Sequence, residues 1–347
     1  MLYRECSVRV AGAVAVMVVV AACGEPKSQS DAGADAHLQS DGGDVVDEVD
    51  AGPIGGSEPD YTEKRKPCDD RNPVRNVYFG DLHVHTSLSF DAYGFQVRNG
   101  PAEAYAFAKG NSTDIPGARD TMNGSRTVEL DRPLDFAAVT DHSEYFGEIQ
   151  LCDDSNSDVY DTQRCKDLRD GGNSVVVSFG SKLANDPPRR FQELCGKDGS
   201  RCVNRAGTTW ERVQKAADDA YDRSSACEFT SFVGYEYTNA AKANSLHRNV
   251  IFRNGEVPNE PISTYEEPRP RGLWRRLKKE CLEADTDCDV LAIPHNSNQS
   301  AGTMFGPTYP GASSKDEERE MAALRREVEP LFEIYQHKGA MECMMGL

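Results

Sequence analysis

The sequence predicts an α/β fold, a parallel sheet wrapped by helices with a barrel as its natural closed form. From residue 77 onward, apolar runs of strand length alternate with segments of helical pattern. Six of the seven histidines stand where strand-like runs begin or end, and β/α folds place their chemistry at strand ends. The length of 347 residues suits two domains or one large barrel, and a hydrophobic content of 38% suffices for a sizeable core.

The first 22 residues read as a targeting segment. Arg4 and Arg9 precede an apolar run over 10–22 that is too short for a permanent membrane helix. Val20-Ala21-Ala22-Cys23 resembles a bacterial lipobox, which makes Cys23 the expected lipidated residue after cleavage. Gly24 stands where an inner-membrane retention signal wants Asp, so the expected location is the cell envelope, at the outer membrane, facing the periplasm or cell surface. Residues 23–70 are rich in Asp, Gly, Ser and Ala and read as a disordered acidic tether. Between residues 24 and 60, ten acidic residues stand against one Lys, giving half of the net charge of −18. The remainder, 71–347, is only mildly acidic and has no basic footprint for nucleic acid.

Export favours disulfides. Beyond Cys6 and Cys23 there are nine cysteines, so at least one is left over. Cys195 with Cys202 and Cys281 with Cys288 bracket short polar turns and are the preferred pairs, with Cys152 and Cys165 third.

Residues 77–92 open the domain, and strand alternation over them puts Asp81, His83 and His85 on one face and Leu82 and Val84 on the other. Residues 101–109 read as a short helix with Pro in its first turn, and 134–140 as a strand ending in Asp141-His142. Residues 145–205 show no clear period and read as a Cys-rich insertion on a βα loop. Thr208 opens a helix, with Glu211 completing a capping box. A strand over 228–237 carries Glu236, and 245–254 is a further strand or half a hairpin beginning at His247. A basic-faced helix over 273–284, a buried strand over 289–294 leading to His295, and a helix over 316–329 follow, before a last strand over 331–337 carrying Glu333 and His337. Imidazoles and carboxylates gathered at strand ends are the donor set of zinc, manganese and iron hydrolytic sites.

The blocks GDLHVHTSLSFDA, DFAAVTDHSEYFG, GYEYT, LHRNVIFRN, IPHNSN and EIYQHKGAMEC resemble the polymerase and histidinol phosphatase (PHP) superfamily, in a branch of PHP-like bacterial proteins labelled a domain of unknown function. The resemblance runs from about residue 77 to 343. It implies a distorted (β/α) barrel of the metal-dependent hydrolase type, holding up to three divalent ions (Zn, Mn or Fe). Carried over, His83 and His85 bind a first metal, Glu236 bridges two, His247 and His295 serve the second, and Asp91 and His142 belong to a third. Asp81 and Asp141 are expected to orient histidines, and Glu333 and His337 to line the pocket. Arg248, Arg253 and Lys338 either neutralise an anionic substrate or are solvated. The superfamily's late Asp-x-His motif is not found, so the expected barrel is incomplete at the C-terminus, as a fragment or a decayed copy.

The expected function is a metal-dependent hydrolase of the cell envelope, phosphoesterase-like, acting on a small anionic substrate and held at the membrane by its lipid. A non-catalytic envelope lipoprotein with a partial metal site, and an amidohydrolase-like hydrolase, are the alternatives.

Overall fold

A computed structural model describes residues 64–72, 75–116, 125–336 and 339–340, all within one compact unit. The expected signal segment, Cys23 and the tether up to residue 63 lie outside these residues, as do His337, Lys338 and Cys343.

In chain order the elements are β1 (Gly80–Val84), α1 (Phe90–Gly94), α2 (Pro101–Ala108), β2 (Thr113–Pro116), β3 (Ser125–Val128), β4 (Phe136–Val139), α3 (Phe146–Asp153), α4 (Gln163–Asp170), α5 (Asn173–Leu183), α6 (Gln192–Cys195) and α7 (Ser200–Ala220). They continue with β5 (Thr230–Phe232), β6 (Gly234–Asn239), β7 (Leu246–Phe252), α8 (Pro270–Leu277), β8 (Val290–His295), α9 (Lys315–Val328), β9 (Tyr335–Gln336) and β10 (Gly339–Ala340). Among the described residues, no helix is long and apolar enough to cross a membrane.

The chain is mixed α/β, but its sheets are small. Among the described residues two are three-stranded, parallel β1-β4-β5 and antiparallel β6-β7-β8, and two are antiparallel pairs, β2-β3 and β9-β10. The expectation of an all-parallel sheet therefore fails for the second half, because the short link between β6 and β7 can only make a hairpin. The two three-stranded sheets meet without a break in register. The pairing Phe136↔Thr230 through Ala138↔Phe232 resumes at the same offset in the parallel bridge His142↔Glu236. Thus β5 and β6 follow one register along β4 and its extension, interrupted at Val233. A closed barrel is absent among the described residues; after α9, the Glu333 N–H bonds to the Pro294 carbonyl of β8 (3.2 Å).

The main core lies between the strands and helices α2, α7, α8 and α9, and is filled by Trp210, Tyr235, Tyr237, Phe252, Leu273, Trp274 and Val328 among others. On the opposite face Ala138, Ile251 and Ile293 form a small cluster with Leu82 and Phe232. Residues 145–205 are not an irregular loop. They fold into α3 to α6 and the start of α7 around a second core of Phe90, Tyr145, Phe179, Phe191 and four cysteines. Helix α7 begins at Ser200, eight residues before the expected start, so Thr208 and Glu211 are interior helical positions and not a cap. Its 21 residues keep Trp210, Val213 and Ala217 buried as one stripe.

All three expected disulfides, Cys152–Cys165, Cys195–Cys202 and Cys281–Cys288, are present. A fourth, Cys68–Cys227, was not expected; it joins residues 159 apart. With it, the Lys66 and Asp69 N–H groups bond to the Arg223 and Ser225 carbonyls, so residues 66–69 are held to the domain instead of continuing the tether.

Candidate metal centre

A bulge in β1 aims the first histidine. Gly80 and Asp81 pair with Phe136 and Ala137, but Val84 pairs with Val139, so β1 carries one residue more than its partner. Alternation is therefore broken: Leu82 joins the small cluster on the inner face while Val84 packs into the helix-side core. Asp81 does not share a face with the histidines, as simple alternation predicts. It is exposed, and its carboxylate accepts the His83 backbone N–H at 2.9 Å, steadying the bulge without touching a ring.

The turn after β1 and the first turn of α1 place His85 and Asp91 together, with His85 Nδ1 3.0 Å from Asp91 Oδ2. Ser89 donates to Asp91 Oδ1 (2.6 Å) and accepts the His142 backbone N–H (3.2 Å), joining this turn to the end of β4. Asp141 accepts both the Thr86 backbone N–H and its hydroxyl, the latter at 2.6 Å. It thus fixes the turn that carries His85 and does not bond to a histidine ring, contrary to the orienting role expected. Burial raises its carboxyl to about 6 against those bonds from Thr86.

Register brings the remaining groups to one point. The parallel bridge sets His142 beside Glu236, and the antiparallel ladder pairs Thr238 with His247 and His247 with His295. By the period of two, Glu236 and Thr238 face away from Tyr235 and Tyr237, which fill the helix-side core. Gly234 allows β6 to sit this close, since a Cβ there would lie 3.0 Å from the Val250 carbonyl oxygen.

Glu236 is the hub. Its Oε1 lies 2.6 Å from His247 Nδ1, 3.0 Å from His295 Nε2 and 3.5 Å from His142 Nδ1. Its Oε2 lies 2.8 Å from His85 Nε2 and 3.4 Å from His83 Nε2. Asp91 is shared in turn between His85 and His142, the latter through Nε2 at 3.5 Å. The hydroxyl of Thr238 also contacts His142 Nδ1. Sequence reasoning missed Thr238, although it follows Glu236 by two on the same strand and must share its face. The Phe90 ring, 4.9 Å from that of His142, separates the centre from the second core.

Burial alone would raise the Glu236 carboxyl, yet the surrounding rings, His142 and His295 foremost, hold it well below the usual carboxylate range. Asp91 is likewise held well down, against burial, by His85 and His142. Burial opposes protonation of His85, but Asp91 and then Glu236 raise it well above the ordinary imidazole value. His83 is raised against burial by Glu236 and Glu333. Burial wins at His295, which falls to about 3 and is neutral at any physiological pH, as a metal ligand must be.

Three tight clusters could each hold a metal ion: His83, Glu236 and His295; His85, Asp91 and His142; His142, Glu236 and His247. All seven expected ligands appear in them. The grouping differs from that implied by the resemblance, because His83 pairs with His295 and His85 with Asp91, although both Nε2 atoms still face Glu236 Oε2. The donor set fits divalent ions: the ionised Glu236 carboxylate only accepts and donates no proton, so each neutral imidazole around it keeps a nitrogen lone pair for a cation in a largely buried space. A fourth cluster of Glu148, Cys195 and Cys202 offers no thiolates, since its cysteines form a disulfide.

Arg248 does not line the pocket. Following His247 in the strand, it faces the other side, fully buried, and pairs with Glu329, which also accepts the Trp274 indole N–H at 2.7 Å. Arg253 is exposed and pairs with Asp289 at 3.5 Å. Glu333, expected only to line the pocket, contacts His83 directly, its Oε2 lying 2.9 Å from Nδ1.

The chain belongs to the family DUF3604, described as a protein of unknown function, whose model matches residues 72–347. No curated protein and no solved structure matches it.

Proposed function

We propose that this member of the family is a metal-dependent hydrolase of the cell envelope, related to the PHP superfamily and phosphoesterase-like in its chemistry, with a distorted barrel of PHP type. The observation that carries the reading is the placement of five imidazoles within 3.5 Å of the two oxygens of Glu236, with Asp91 bridging two of them. His83, His85, Asp91, His142, Glu236, His247 and His295 would hold the ions. Bound divalent cations supply Lewis acidity, which lowers the pKa of water and neutralises charge on a phosphoryl oxygen.

The chain's own residues supply position and access. Glu236, ionised across the physiological range, offers one oxygen to each side of the centre. Buried His295 offers an unprotonated ring, and Thr238 and Ser89 hold the His142 ring and backbone. His83, His85, His247 and Asp91 keep partial exposure, so a small substrate reaches the centre from their side. The lipobox-like segment supports anchoring through Cys23 in the envelope.

The test is metal content of the purified chain, with turnover across phosphomonoester, phosphodiester, sulfate-ester and amide substrates. Bound zinc, manganese or iron with phosphoester turnover that His83→Ala abolishes is the expected result. A domain that takes up no metal refutes the reading. Uptake without turnover assigns it to the non-catalytic alternative, and amide turnover to the amidohydrolase-like one. Cys23→Ser should move the protein from the membrane fraction to the soluble fraction.

A further inference from the structure

We propose that Glu333 is the positioning residue of this centre: its carboxylate fixes the His83 and His295 rings through their Nδ1 atoms, so that both Nε2 atoms face a cation beside Glu236. The inference rests on the metal-centre reading given above.

One oxygen, Glu333 Oε2, lies 2.9 Å from His83 Nδ1 and 3.9 Å from His295 Nδ1. The two rings are neighbours, with centroids 4.2 Å apart. Their other nitrogens both turn to Glu236, at 3.4 Å for His83 Nε2 and 3.0 Å for His295 Nε2. A neutral imidazole has one N–H and one lone pair. With the proton on Nδ1 and directed at Glu333, the lone pair is on Nε2 and directed at the cluster of His83, Glu236 and His295. The buried His295 Nδ1 has no hydrogen-bond partner, and Glu333 is the carboxylate nearest to it in that direction, able to accept its proton after a small ring rotation.

The backbone explains why residue 333 can do this. Its N–H bonds to the Pro294 carbonyl at 3.2 Å, anchoring it to β8 immediately before His295, while its side chain crosses to β1. Glu333 therefore ties the two edge strands β1 and β8 together at the histidines. It stands behind both rings, on the side away from Glu236, which is the place of a carboxylate that orients ligands and raises their basicity.

Zinc affinity of the full chain, by competition with a coloured chelator, is compared for wild type, Glu333→Ala and Glu333→Gln, with near-UV circular dichroism as a check of the fold. Loss of such a carboxylate typically weakens one ion by roughly 10–100-fold. The expected result is that loss for a single zinc in Glu333→Ala, the remaining zinc held as in wild type, and partial recovery in Glu333→Gln, whose amide oxygen still accepts one N–H. Wild-type affinity in Glu333→Ala overturns the inference. So does equal weakening of every zinc in both variants, with or without loss of the near-UV signal, since that is a general structural effect. A wild-type chain that binds no zinc, manganese or iron overturns the metal-centre reading first, which distinguishes the two failures.

Discussion

Metal binding should release protons to an unusual degree. In the metal-free chain, Asp91 and Glu236 raise His85 well above the ordinary 6.5 against the effect of burial, and Glu236 and Glu333 raise His83. Each histidine belongs to a different cluster, and each must lose its proton before its ring nitrogens can bind an ion. The carboxylates of Glu236 and Asp91 are already ionised and His295 is already neutral, so none of these competes. Each ion that takes one of these two rings therefore displaces up to one proton, and its affinity should rise by up to about 10-fold, or ~1.4 kcal/mol, per pH unit below the raised pKa; the cluster of His142, Glu236 and His247 contains neither ring. An ordinary histidine is only about one-tenth protonated at pH 7.5, so almost no release would remain there. Calorimetric titration with zinc at pH 7.5, in buffers of different ionisation enthalpy, counts the protons directly. Release well above a tenth of a proton is expected for each zinc that takes His83 or His85. Release of a tenth or less, or an affinity independent of pH between 6 and 7.5, refutes the reasoning.

The same shifts give the metal-free chain an opposite dependence for folding. A raised histidine stabilises below the unfolded pKa of about 6.5, and that contribution is lost as pH rises through the folded value. Burial raises Glu144 to about 7 and Asp141 to about 6, and these act in the same direction. His295, held neutral in the fold, acts the other way up to about pH 6.5, so the melting temperature of chelator-treated protein should fall between pH 7 and 8, and added zinc should reverse the trend. Arg248→Ala leaves Glu329 buried with its charge only partly balanced and should cost about 3–5 kcal/mol by denaturant titration, while zinc stoichiometry stays at the wild-type value. Replacing Cys68 and Cys227 by serine opens a loop of 159 residues and should cost about 2–5 kcal/mol, read as a lowered midpoint, again without effect on zinc.

Much of the centre was legible because six of the seven histidines stand at the beginning or end of strand-like runs, and motif order placed Glu236 among them. Three local disulfides were legible from their spacing, whereas Cys68–Cys227 joins segments whose proximity arises only when the domain closes. The bulge in β1 could not be read, since an extra residue is defined only against the strand it pairs with. That one residue separates the fates of Asp81 and His83. Arg248 was readable in principle: a residue adjacent to His247 in a strand must face the other way, and only its partner Glu329 required the tertiary fold. The helices of 145–205 escaped notice because their short apolar stripes serve a separate core closed by two disulfides.

The mixed direction of the strands explains why histidines at both strand beginnings and strand ends belong to one centre. In an all-parallel sheet only the C-terminal ends gather at one edge. Here β6 has the parallel extension of β4 on one side and antiparallel β7 on the other. The end of β4 therefore brings His142 to that edge, and β7, running the opposite way, brings its beginning with His247. Strand β8 reverses again and brings its end with His295. Glu236, in the middle of the strand where pairing changes direction, can be reached from both sides. Register then carries the chemistry: a slip of one residue between β6 and β7 would turn Glu236 or His247 into the helix-side core and undo the centre, whatever its composition.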